Sequence, residues 1–230
     1  RAIDGGGYGQ YALTRARQCL KLPATVSLED GALVEPLSVG LHAIAVSAMT
    51  PGQRVVVIGA GPIGLATVFW ARRHGAGPIA VTASSTRREE LARMMGATAF
   101  FAPSEDQTEL IQAALGGPPD LVFECVGKPG ILAQAIALTR PRGTVVLMGL
   151  CWGLDSFVPA ISVAKEVRIQ PAALYSVAEF QVSIDALDAG HVEPHAMITH
   201  TVSLSQFPDA FEALRHRTTQ CKVLVDSWAD

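Results

Sequence analysis

Val55-Val56-Val57-Ile58-Gly59-Ala60-Gly61-Pro62-Ile63-Gly64 is an unbroken β-branched run that passes into three glycines spaced Gly-x-Gly-x-x-Gly and then into a helical pattern. Apolar residues without alternation mark a strand buried on both faces, as in a parallel sheet. Each glycine then has its own task in a turn that receives a dinucleotide. Gly59 allows the tight turn, Gly61 lets the backbone approach a pyrophosphate, and Gly64 permits close helix–strand packing. The helix that opens with Pro62 and Ile63 supplies oriented N–H donors and a partial positive charge. The glycine spacing alone is a weak signal whose bland reading is a turn with no ligand. Placed after a buried strand and before a helix, it predicts a nicotinamide dinucleotide, and a flavin adenine dinucleotide could use the same cradle.

Outward from this turn, strand-length apolar runs alternate with helix-length amphipathic stretches, the pattern of a doubly wound α/β fold with a parallel sheet. Strands are expected at Arg54–Ile58, Ile79–Thr82, Leu121–Cys125, Thr144–Met148 and Val167–Ala173. Helices are expected at Pro62–His74, Thr86–Met95, Asp106–Ala114, Pro129–Leu138 and Val177–Ala189, with Gly75, Gly96, Gly116 and Gly190 where helices stop. The two ends differ in character. Residues 1–23 show a glycine cluster and then Tyr8–Thr14 as a short strand, and residues 191–230 return to loop and strand, so both are assigned to a second domain around a dinucleotide-binding domain at 24–190.

The second strand usually distinguishes cofactors, because an acid about 20 positions past the last glycine binds the ribose 2′-hydroxyl of NAD. Nineteen positions beyond Gly64 stands Ala83, followed by Ser84-Ser85-Thr86-Arg87-Arg88. An acid there would repel a 2′-phosphate, whereas hydroxyls and guanidiniums suit one. Ala83, Ser84 and Arg88 therefore point to NADP, with NAD the alternative. The competing reading pairs Arg87 and Arg88 with Glu89 or Glu90 on a solvated first turn.

Composition narrows the partners. The net charge of −3 offers no basic field for nucleic acid. Cys19, Cys125, Cys151 and Cys221 lie far apart with no CxxC pair, so neither a closed zinc site nor a disulfide framework is indicated and a reducing, cytoplasmic setting is expected. No apolar run approaches the ~20 residues that cross a bilayer, so no membrane partner is expected. The chain begins with Arg1 rather than Met, which reads as a fragment of something longer.

The runs Leu28-Glu29-Asp30-Gly31-Ala32-Leu33-Val34-Glu35-Pro36-Leu37-Ser38-Val39-Gly40-Leu41-His42-Ala43 and Pro51-Gly52-Gln53-Arg54, with the glycine turn, carry a resemblance. So do Glu90–Ala97, Asp120–Gly127, Gly143–Gly149 and Lys222–Asp226. Together these resemble the zinc-dependent medium-chain dehydrogenases of the sorbitol, threonine and butanediol type, over essentially the whole chain. The resemblance implies a Rossmann cofactor domain flanked by remnants of a GroES-like, β-rich catalytic domain, and zinc in the full-length parent. It further implies that most zinc ligands lie upstream, so that this piece alone is inactive. Glu35 is the one position carried over as catalytic and metal-facing, a hard oxygen ligand for Zn²⁺; its bland reading is an acid favoured by a helix N-terminus.

By the same resemblance, Val39 lies against the nicotinamide. Cys125, Val126 and Gly127 close one strand above the dinucleotide, Met148, Gly149 and Leu150 follow another, and Ala172 to Leu174 a third, while Lys222 reaches toward the pyrophosphate. Each of these is also readable as ordinary strand-end packing. The six histidines lack metal spacing, and His42 is expected to be packed or hydrogen-bonded. The implied reaction is hydride transfer between a small-molecule alcohol or polyol and the nicotinamide, with zinc polarising the oxygen. A zinc-free quinone or enoyl reductase and a non-catalytic dinucleotide-binding module remain the alternatives. The strand Val167-Arg168-Ile169-Gln170 is expected at an open sheet edge, where a two-fold contact would give a homodimer.

Overall fold

The computed structural model describes residues 7–216 and 220–229. Six parallel strands form the main sheet in the order β3-β2-β1-β4-β5-β6: β1 (Val55–Ile58), β2 (Ile79–Thr82), β3 (Ala99–Phe101), β4 (Leu121–Glu124), β5 (Thr144–Leu147) and β6 (Arg168–Pro171). β1, β2 and β4 are buried at every position, which is why their side chains do not alternate. Registers are regular, with Val55 opposite both Ile79 and Leu121.

The helices are α1 (Leu28–Gly31), α2 (Val34–Ser47), α3 (Pro62–Arg73), α4 (Glu89–Met94), α5 (Gln107–Leu115), α6 (Ile131–Leu138), α7 (Pro159–Lys165), α8 (Val177–Asp188) and α9 (Phe207–Ala213). They enclose one apolar cluster on each side of the sheet. The first joins Leu33, just before α2, and Leu37 and Leu41 of α2 to Leu65 and Phe69 of α3 and to alternate residues of the central strands. The second joins Val56, Ile58 and Val122 to Ile111 of α5 and Ile136 of α6. Trp70 completes the α2–α3 contact by donating Nε1–H to the Leu37 carbonyl at 2.8 Å. α8 is held at its start by a capping box between Ser176 and Glu179.

A separate parallel pair, β7 (Ile198–Ser203) and β8 (Lys222–Asp226), follows α8. The strand expected at Tyr8–Thr14 does not form: no strand partner lies beside it among the described residues. Tyr8 instead stacks on Phe207 at 4.3 Å between ring centroids, and Tyr11 meets Trp228 edge-on. β6 is shorter than expected because Pro171 ends it. Thr86–Met95 divides into a 3-10 turn at Thr86–Arg88 and α4. None of the helices among the described residues is long and apolar enough to cross a membrane.

Asp120, at the mouth of β4, ties three segments together. Its carboxylate accepts from the Arg54 backbone N–H (2.8 Å), from Arg54 Nε (3.2 Å) and from Arg140 Nε (2.5 Å). Burial alone would raise its pKa, but these hydrogen bonds and the charge of Arg54 outweigh it, so the net shift is downward. A carboxylate with a depressed folded-state pKa contributes stability above its unfolded value, and that contribution fades as pH falls through the folded value. Asp120→Asn should therefore lose about 1.5–3 kcal/mol at neutral pH, the usual worth of hydrogen bonds to a charged group. The deficit should shrink below about pH 4. Urea unfolding of both proteins across pH checks this, and a pH-independent deficit would assign the effect to shape rather than charge.

Candidate dinucleotide-binding site

The strand order reverses between β1 and β4, and the crevice at the carboxyl ends of such strands is where open α/β sheets bind ligands. The glycine turn stands there. Gly59 has φ +107°, which only glycine adopts freely. A Cβ on Gly64 would lie 1.9 Å from the Gly59 carbonyl oxygen, so the helix starts directly on the turn. Gly61 is the residue before α3 and has no atom within 4 Å of where a Cβ would point, and Pro62 and Ile63 open the helix. Close packing beneath and open space above make a cradle whose shape fits a pyrophosphate.

A cavity of about 520 Å³ lies over this turn. Gly59, Gly61, Ala83, Ser84, Arg88 and Val126 line it, so six of the residues singled out from sequence come together there. Arg87, the other guanidinium of the Ser84–Arg88 run, lines it as well, and Pro103, Gln107, Lys128, Gln134, Leu214, His216, Gln220 and Cys221 line it without having been singled out for the cofactor. Gln107 and Gln134 are polar residues on amphipathic helices with no sequence signal to mark them. Leu214, His216, Gln220 and Cys221 reach the cavity only through the fold, more than 100 residues after the turn. Arg88 lies inside this wall: Nη1 donates to the Ala60 carbonyl at 3.1 Å and Nη2 to the Gln220 carbonyl.

An adjoining cavity of about 330 Å³ is lined by Gly127, Gly149 and Leu150 and shares Lys128 with the first. Its floor is organised by Glu124, a buried carboxylate that accepts from the Val126 N–H at 2.7 Å and the Gly127 N–H at 2.9 Å. The β4 and β5 ends are pressed together there. A Cβ on Gly149 would sit 2.1 Å from the Gly127 nitrogen and 2.3 Å from Glu124 Oε2. Cys125 and Met148 lie side by side, Sγ to Sδ 3.6 Å, with Thr67 of α3 donating to the Met148 sulfur at 3.7 Å. Burial, followed by the charge of Glu124, pushes the Cys125 thiol up to about 12.

The remaining singled-out residues sit apart from both cavities. Glu35 is exposed in the first turn of α2, and Val39 lies one turn further on the same helix face. Ala172 is buried just after β6, while Leu174 is exposed with φ +63°. Tyr175, missed from sequence, links these groups: burial, and then the charge of Glu35, raises its phenol pKa. Lys222 begins β8 directly after the cavity residue Cys221. His42 makes the expected hydrogen bond, its Nδ1 standing 3.0 Å from Glu179 Oε1. Among the described residues there is no group of three His, Cys, Asp or Glu side chains that could hold a metal, so the residues present do not make a zinc site by themselves.

Comparison with known proteins places these features. Residues 62–189 match the family model described as zinc-binding dehydrogenase. Sorbitol dehydrogenase of Gallus gallus is 35% identical over 218 residues, covering 92% of this chain and 61% of that protein. An alcohol dehydrogenase from E. coli CFT073, complexed with NADH, superposes with a TM-score of 0.85 at 28% identity, covering 93% of this chain and 64% of that one. A zinc-binding dehydrogenase from Sinorhizobium meliloti 1021, bound to NADP, gives 0.81 at 30% identity, covering 90% and 61%. The chain thus spans about three-fifths of the length of the curated relatives it matches.

Gly149→Ala tests the pressed β4–β5 junction. Overpacking of this kind costs about 1–3 kcal/mol, and the urea midpoint should fall accordingly; an unchanged midpoint would show that the two strand ends separate freely.

Proposed function

The chain belongs to the zinc-binding dehydrogenase family, and from that premise we propose that it is the nicotinamide-dinucleotide-binding part of an alcohol or polyol oxidoreductase. The observation that carries this reading is the glycine cradle at β1–α3 opening into the cavity that holds Ala83 and Ser84. The adenosine end lies over Ala83 to Arg88, the pyrophosphate over Gly59 to Ile63, and the nicotinamide toward Cys125–Gly127, Met148–Leu150 and Ala172–Leu174. Val39 supports the nicotinamide end from α2, and Lys222 adds positive charge beside the pyrophosphate. When bound, the nicotinamide supplies hydride chemistry. The chain's own residues bind it, orient it and keep water from its inner face. Sorbitol dehydrogenase among the relatives supports a polyol substrate. Glu35 adjoins the metal centre of the whole protein, but alone it is one exposed carboxylate and no step is assigned to it.

We place the cofactor as NADP. Relatives of this fold carry NADH or NADP, so the choice rests on residues of this chain. Ala83 gives a 2′-hydroxyl no acceptor, whereas Ser84 and the arginines beside it offer donors to a 2′-phosphate. Residues 1–23 and 191–230, including the β7–β8 pair, are assigned to the second domain around 24–190. With four free cysteines, a reducing cytoplasmic setting suits the chain. Fluorescence titration of the chain should show NADPH binding more tightly than NADH, by roughly tenfold or more for a charge-assisted contact. Equal affinities would remove the NADP assignment.

The assembly proposed is a homodimer through β6. This strand pairs only with β5, which leaves its other side open among the described residues. Exposed Val158, Ile161 and Val163 lie on the chain leading into it. Arg168 and Ala172 donate to β5, so by two-residue alternation the outward N–H belongs to Ile169. Light scattering at micromolar concentration should report twice the 24.2 kDa chain mass. Ile169→Pro, which removes the outward donor while leaving the bonds to β5, should shift the mass toward monomer, with Ile169→Ala as the control for the packing of this side chain on the core; a starting chain already at monomer mass would refute the pairing.

A further inference from the structure

We propose that His191 is a proton-operated latch. Neutral, it holds the segment between α8 and β7 against the C-terminal end of α3; protonated, it lets that contact go while the segment stays tethered to α1. On the domain assignment proposed above, this is the boundary between residues 24–190 and 191–230, so the latch sets how firmly the β7–β8 pair is held to the dinucleotide-binding part.

The latch is made where α3 ends. Arg73 Nη2 stands 2.9 Å from His191 Nδ1 and 2.9 Å from Glu193 Oε1. The same guanidinium lies 3.6 Å from the centre of the Phe69 ring, which His191 meets edge-on. A guanidinium has donors and no acceptor, so Nδ1 must accept in this contact. That makes His191 the neutral ring with its proton on Nε2. A second proton removes the accepting lone pair and sets an imidazolium against a guanidinium. The displaced ring has somewhere to go: its charge acts on Glu193, whose Oε2 is buried without a hydrogen-bond partner among the described residues. The latched arrangement therefore binds one proton fewer than the released one, and release is favoured as pH falls.

The other charged groups around the joint leave His191 as its sensor. Burial raises the pKa of Glu193, but its own backbone N–H, Arg73 and the charge of His191 outweigh this, so it remains a carboxylate. On α3, His74 Nδ1 donates to the Trp70 carbonyl at 3.0 Å, a bond that survives protonation of the ring, and Arg72 carries the remaining charge. α4 packs against both α3 and the 3-10 turn Glu193–Met197; there Glu89 and Arg93 pair with each other at 2.8 Å, beside Glu90. On α8, Asp185 accepts from Gln181 and Asp188 from Thr25. His200 is exposed on β7. His195 works with the opposite sign, because its Nδ1 lies 2.7 Å from Asp30 Oδ1 of α1 and a proton on the ring strengthens that contact. Acid thus frees the α3 side of the segment and keeps the α1 side.

Hydrogen exchange on the 230-residue chain at about pH 8 and about pH 5.5, corrected for the intrinsic pH dependence of exchange, tests the latch. Peptides covering 189–197 should lose protection by roughly tenfold at the lower pH, while β1 and β4 stay protected. His191→Asn, which keeps an acceptor near the place of Nδ1 without a titrating ring, should remain protected at both. Arg73→Met should lose protection of 189–197 at both, and His195→Asn should leave the pH response in place. Equal protection of the starting chain at the two pH values overturns the latch. A response that persists in His191→Asn, or disappears in His195→Asn, puts the sensor elsewhere and overturns it as well. Should Arg73→Met also expose β1 and β4, its fold is lost and His191→Asn decides alone.

Discussion

At Gly64 there is no room for a side chain: the Gly59 carbonyl oxygen occupies the place where a Cβ would be. This contact fixes where α3 begins, directly over the end of β1, and the rest of the molecule is arranged on that choice. α3 is then buried from Gly64 to Ala71, pressed between the sheet and α2. Its far end reaches the C-terminal part of the chain, where Arg73 lies over the Phe69 ring and pairs with Glu193 at 2.9 Å. One helix therefore carries the cradle at its N-terminus and an anchor for the later segment at its C-terminus. Displacing the first would move the second.

The two ends of the crevice differ in chemistry because different strands finish there. β2 ends in hydroxyls and guanidiniums, a setting for phosphate and ribose. β4 and β5 end in Cys125 and Met148 beside Thr67, a soft and largely apolar surface suited to a flat ring. Glu124 keeps these ends in register by accepting two backbone N–H groups inside the protein, where an unpaired donor would be costly. The carboxylate thus shapes the loop after β4 from below.

The central strands were legible in sequence because VVVI, IAVT, LVFE and TVVL are buried on both faces and carry no alternation to confuse the period. β3 escaped notice because Ala99-Phe100-Phe101 is three residues long and only partly buried. α7 escaped because it is short, starts at Pro159 and buries nothing, so no apolar stripe marks it. Tyr8–Thr14 reads as a strand through its aromatic residues, yet a strand exists only with a partner. At the site, the turn and the Ala83–Arg88 wall could be read because their residues are contiguous. The hydrogen bond from Arg88 to the Gln220 carbonyl could not, since nothing local in either segment announces the other.

The cysteines narrow what the chain's own side chains contribute. A nucleophile must be a thiolate near neutral pH. Cys125 follows β4 directly, but burial and the neighbouring Glu124 carboxylate push it to about 12, so it stays a neutral thiol there. Cys221, on the cavity wall, is likewise raised by burial despite the opposing charges of Arg88 and Lys222. Neither thiol is poised for covalent chemistry, and both serve as small, largely apolar packing groups, Cys125 against Met148 and Cys221 on the cavity wall. The hydrogen-bond donors of the crevice, in contrast, gather at the glycine turn and along Ser84 to Arg88, a setting that suits an anionic ligand. On the function proposed above, binding and orientation are therefore the work these side chains are suited to.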